Sequence, residues 1–128
     1  MSDIEGAAMP KPIYDVKAQF FKTLGHPARI RILEILAGGP RSVSELQPDV
    51  GLESSHLSQQ LAVLRKAGVV RAKRQGSSMI YSVADPQVFE LLSVAKKIIV
   101  TSLSGADDLL AALDSMSYGP FTEENAAG

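Results

Sequence analysis

Four side chains within six residues could read the edge of a base pair. Ser55, His56, Gln59 and Gln60 carry a hydroxyl, an imidazole or an amide, so each can donate and accept hydrogen bonds. A glutamine amide can pair bidentately with adenine, which discriminates against a wrong base by roughly 1–3 kcal/mol. Ser58 adds another hydroxyl, and Ser54 is placed for a phosphate near a helix N-terminus. No acidic residue follows Glu53 before Gly68, while Arg65 and Lys66 close the stretch with positive charge. This chemistry suits a polyanion with hydrogen-bonding edges, that is, double-stranded DNA.

Other candidates are weaker or serve the same partner. Arg71, Lys73, Arg74 and Gln75 cluster just after Gly68 and suit phosphates or a minor groove. His56 is read first as a base or phosphate contact, with a plain surface position or a metal ligand as alternatives. A ligand needs partners, and no second His or Cys lies near it. His26 is read as a cap on the turn before Pro27, with metal binding as its alternative. Asp85, Asp107 and Asp108 are weak metal candidates, because carboxylates without His or Cys suit hard cations. No nucleophile elbow, Walker loop, dinucleotide fingerprint or histidine–carboxylate metal motif occurs, so an enzyme is not expected and no cofactor is implied.

The elements that must position these groups follow from periodicity. Residues 51–68 read as one helix: Leu57, Leu61 and Leu64 form an apolar line behind the polar groups, and Gly68 is the stop. Ser42 and Glu45 make a capping box that starts a short helix ending before Asp49. Two helices joined by a Gly-containing turn form a helix-turn-helix. Val69 to Arg74 and Met79 to Val83 read as strands around a turn at residues 75–78, a β-hairpin wing. Upstream, Ile13, Val16, Phe20 and Leu24 predict a helix over 13–24, and Pro27 opens a second helix running to about Ala37. Downstream, Asp85 and Pro86 start a helix to about residue 103, and Ser104 with Asp107 could cap a last one.

The first and fifth of these helices carry more apolar surface than one small domain needs. Ile13, Tyr14, Phe21, Val88, Leu91, Leu92, Ala95, Ile98 and Ile99 are the expected dimer face. The expected organisation is a flexible arm (1–12), a DNA-binding and dimerisation domain (13–103), a helical extension (104–116) and a flexible tail (117–128). The fold class is mainly α with a β-hairpin wing.

Composition agrees with this and hides part of it. The 128 residues are 45% hydrophobic, enough for one globular domain. There is no cysteine, which removes disulfides and thiolate metal sites. No apolar run approaches the roughly 20 residues that span a bilayer, and the first residues do not resemble a signal peptide, so a cytoplasmic protein is expected. Net charge is −1, yet residues 22–81 hold nine basic and four acidic side chains, a local +5. Charge segregated in this way is a footprint for nucleic acid that the total conceals.

Three separated stretches carry a resemblance. Phe20 to Leu33, Ser54 to Val70 and Arg74 to Ser82 resemble, in order and spacing, the ArsR/SmtB family of bacterial winged-helix transcriptional regulators. The similarity covers roughly residues 14–100 and is greatest to actinobacterial-type members without thiol sensor motifs. It implies a homodimer joined through its first and last helices, usually a repressor, on an inverted repeat near a promoter. Many members sense metals through a Cys-x-Cys motif or through Asp and His pairs on the last helix. Here cysteine is absent and residues 86–116 contain no His. The expectation is therefore a DNA-binding regulator whose effector, a small molecule, metal or protein, stays open. The rival expectations are a metal-responsive protein using oxygen and nitrogen ligands, and a winged-helix module that binds a protein.

Overall fold

A computed structural model describes residues 10–102 and 105–115. Six helices and three strands follow one another: α1 (Ile13–Leu24), α2 (Pro27–Leu36), β1 (Arg41–Ser42), α3 (Val43–Val50), α4 (Ser54–Lys66), β2 (Val70–Gln75), β3 (Ser78–Val83), α5 (Gln87–Ser102) and α6 (Ala106–Ser115). The strands form one antiparallel sheet in the order β1-β3-β2. The core lies where α2, α3 and α4 meet the base of this sheet, and Ile32, Leu33, Leu46, Val50, Leu57 and Leu61 are fully buried there.

Local chemistry explains most boundaries. His26 is the N-cap of α2, its Nδ1 accepting from the Ala28 N–H at 3.1 Å, with Pro27 as first helical residue. The Ser42–Glu45 capping box is formed in both directions: the Glu45 N–H donates to Ser42 Oγ, and the Ser42 N–H donates to Glu45 Oε1. At the end of α4, the N–H of Gly68 bonds the Arg65 carbonyl and that of Val69 bonds the Leu64 carbonyl. This is a Schellman motif, with Gly68 at φ 78° and Leu64 and Val69 buried together.

Four boundaries differ from expectation. Helix α3 runs through Pro48 to Val50, because burying Val50 one turn beyond Leu46 draws the last turn into the core. Gly51, at φ 82°, caps α3 instead of opening α4, which starts at Ser54. The wing turn is tighter than residues 75–78, since Gln75 pairs with Ser78 and only Gly76 and Ser77 turn the chain. Asp85 bonds the Gln87 N–H at 2.9 Å, but α5 begins at Gln87, after Pro86. The expected Ser104–Asp107 cap lies outside the described residues.

The sheet also holds a strand that periodicity did not reveal. Arg41 pairs with Tyr81 and Ser42 with Ile80, so Ser42 ends a strand and caps a helix. This double role fixes the start of α3 against the wing.

Candidate nucleic-acid interface

Leu57, Leu61 and Leu64 anchor α4, and all three are fully buried. A 3.6-residue period then turns Ser55 and Gln59 away from the core. Both are exposed, as are Ser54, His56, Ser58, Arg65 and Lys66. The helix start is tied to α3 by Ser54 Oγ, which donates to Gln47 Oε1 at 3.0 Å. Glu53 is the N-cap but makes no side-chain cap bond. The first-turn N–H groups of α4 therefore have no side-chain cap from Glu53, as an anion-accepting helix end requires.

Gln60 stands apart from the other polar residues of this helix. It is half-buried, and its Oε1 accepts from Arg29 Nη1 of α2 at 3.0 Å. An amide whose oxygen is already engaged cannot pair bidentately with adenine unless that bond opens. The expectation of a free glutamine pair at Gln59 and Gln60 is corrected accordingly: Gln59 is exposed and Gln60 is held.

The wing presents Arg71, Lys73, Arg74 and Gln75, all exposed. Alternation along β2 puts Arg71, Lys73 and Gln75 on one face and Arg74 on the other, beyond half-buried Ala72. Not all of the local +5 is at this surface. Arg31 is buried, donating from Nη2 to the Asp49 carbonyl at 3.2 Å, and Arg29 is half-buried. The exposed positive groups are the end of α4 and the wing, next to each other in the chain and the fold.

The metal candidates are not gathered. Among the described residues no group of three or more His, Cys, Asp or Glu comes together. His26 Nδ1 and one Asp85 oxygen serve as helix caps. Asp108 is exposed on α6, and the side chain of Asp107 lies outside the described residues.

The expected dimer face divides in two. Ile13, Tyr14, Phe21, Ile98 and Ile99 are more than half exposed, although every one is large and apolar. Val88 is instead buried in the protomer's own core, with Leu91 and Leu92 packed partly against it and Ala95 half-buried. The reason is position along α5: its first turns pack on the core, and its later turns run past it. Val16 and Val94, absent from the expected face, are exposed beside it. The i, i+4 spacing of Val94 and Ile98 was the signal that could have found the latter.

A reading helix locked behind by leucines, a capped helix crossing it and a basic hairpin after it define a winged helix-turn-helix protein. Comparison with known proteins gives the family. Residues 26–72 match the model of the bacterial regulatory proteins of the arsR family. The chain is 58% identical over 110 residues to the uncharacterized HTH-type transcriptional regulator Rv0081 of Mycobacterium tuberculosis, covering 85% of this chain and 94% of that one. The crystal structure of Rv0081 superposes with a TM-score of 0.66 at 62% identity, covering 72% of this chain and 93% of that chain. The biofilm growth-associated repressor of Agrobacterium fabrum is 38% identical over 92 residues, covering 72% and 78%. The homodimeric winged helix-turn-helix domain Mb0332 of Mycobacterium bovis matches with a TM-score of 0.65 at 27% identity, covering 77% and 94%. The chain belongs to the arsR family of bacterial regulatory proteins. It is a DNA-binding transcriptional regulator and not an enzyme. No helix among the described residues is long and apolar enough to cross a membrane.

Proposed function

We propose that the protein is a cytoplasmic, homodimeric repressor that binds an inverted-repeat operator, one reading head per half-site. The observation that carries this is the exposed, acid-free, hydrogen-bonding face of α4 beside a basic wing. Ser55, His56, Gln59 and Gln60 face base edges, while Ser54, Ser58 and Arg65 serve phosphates. Arg71 and Lys73 share a wing face that tracks the backbone, and Arg74 with Gln75 at the tip reaches a minor groove. The exposed apolar faces of α1 and α5 join the two copies. Relatives named as a repressor and as a homodimeric DNA-binding domain support the same reading. Repression then follows from occupancy of a promoter, and an effector acts by changing the angle between the two heads. Its identity stays open, and no cofactor is proposed.

Electrophoretic mobility shift with DNA upstream of its own gene and neighbouring genes tests this. Specific, salt-sensitive binding is expected, weakened without loss of fold by Gln59→Ala. Arg74→Ala should lower affinity for all sequences and reduce the salt slope by about one. Absence of any specific site across the genome would sink the proposal.

A further inference from the structure

Arg29 joins three elements. Its Nε donates to the Thr23 carbonyl in the last turn of α1 at 2.6 Å, and its Nη1 donates to Gln60 Oε1 on α4 at 3.0 Å. The Thr23 end is itself held, because Thr23 Oγ1 donates to the Gln19 carbonyl at 3.1 Å. A guanidinium carries donors and no acceptor. The Gln60 atom that faces it must therefore be the carbonyl oxygen, and the orientation of the amide follows from that. Planarity then puts the amide nitrogen on the other branch of Cδ. Gln60 is half-buried, between the buried line of Leu57 and Leu61 and exposed His56. A free glutamine can meet adenine as donor and acceptor together. Held by Arg29, Gln60 has only its nitrogen to offer.

We infer that Arg29 is a positioning residue that sets base specificity, pinning Gln60 as a pure hydrogen-bond donor so that guanine is preferred to adenine where it reads. The inference rests on the reading of α4 as the DNA-contacting helix. Guanine presents two acceptors, O6 and N7, on its major-groove edge. Adenine sets its N6 amine beside N7, and that amine finds no acceptor on a pinned amide. The same guanidinium ties α4 to the end of α1, which carries part of the exposed apolar face. One side chain thus links base preference to the placement of the helix that faces a second copy.

Selection from a random-sequence duplex library with the purified full-length protein reads this directly. Gln60→Ala marks the relevant position as the one whose preference disappears. Arg29→Met keeps an unbranched side chain and frees the amide. Guanine-over-adenine preference there should fall roughly tenfold, the lower end of what one base-reading pair contributes, while the rest of the motif is unchanged. Gln60→Glu keeps an acceptor for Arg29, and so the strut, but has no donor. It should lose the guanine preference with thermal unfolding close to wild type. Arg29→Lys restores one of the two bonds and should recover part of the preference. If wild type selects a motif and these variants return it unchanged apart from uniform weakening, Arg29 and Gln60 are merely structural and the inference is overturned. If wild type selects no motif at all, the reading of α4 fails first and takes the inference with it.

Discussion

Residues of the same type on α4 have different tasks because of where the helix turns them. Leu61 is fully buried, flanked by Leu57 and Leu64 on the same line. Leu61→Ala removes core contacts and leaves a cavity, for an expected loss of about 2–5 kcal/mol. Urea unfolding checks this, and DNA binding should fall only as far as the folded fraction does. Gln59 and Gln60 are neighbours with unlike surroundings, one exposed and one bonded across 31 residues to Arg29. Their chemistry as base readers was legible from type and spacing. The bond that restricts Gln60 was not, because no local pattern links α2 to α4.

At the scale of elements, capping chemistry was the most legible feature. The Ser42–Glu45 box formed as expected, and it makes α3 sensitive to acid. Hydrogen bonds from the backbone and side chain of Ser42 hold the Glu45 carboxyl below its ordinary 4.5. Its stabilisation is therefore complete above pH 4.5 and is lost as pH falls through the lower folded value. Glu45→Gln still accepts from the Ser42 N–H but does not titrate there. The variant should melt below wild type at neutral pH, with the gap in Tm closing under acid. A gap that stays constant with pH would contradict the assignment. Where elements departed from expectation, packing had overruled a local signal. Pro48 removes one helical hydrogen bond, yet Val50 is buried and α3 continues to reach it.

At the scale of the molecule, the exposed apolar residues of α1 and α5 are the main debt of the isolated chain. Ile98 is 62% exposed, so Ile98→Glu costs the protomer little. In the proposed dimer it buries an unpaired charge, which is strongly unfavourable. Sedimentation velocity should show monomers that keep native circular dichroism. Operator affinity should drop by roughly 10²-fold or more once the two heads are no longer linked. A variant that remains dimeric would move the interface elsewhere. Packing also reaches across the protomer in a quieter way. Burial pushes the Glu34 carboxyl of α2 upward, opposed by Arg31 on the same helix and Lys96 on α5.

Local signals alone determined the winged helix-turn-helix: periods of 3.6 and 2, a capping box, a proline at a helix start and glycines at turns all act within a few residues. Those signals also placed the polar face of α4 and the basic wing. Tertiary structure decided what depends on neighbours distant in sequence. It took Val88 into the protomer's own core and left Ile98 and Ile99 outside, although all lie on one apolar helix. It paired Arg41 and Ser42 with the wing, drew Arg31 inside, and joined Arg29 to Gln60. Periodicity records that a side chain is apolar or polar; only the packed fold decides which surface covers it and which of its atoms are already bonded.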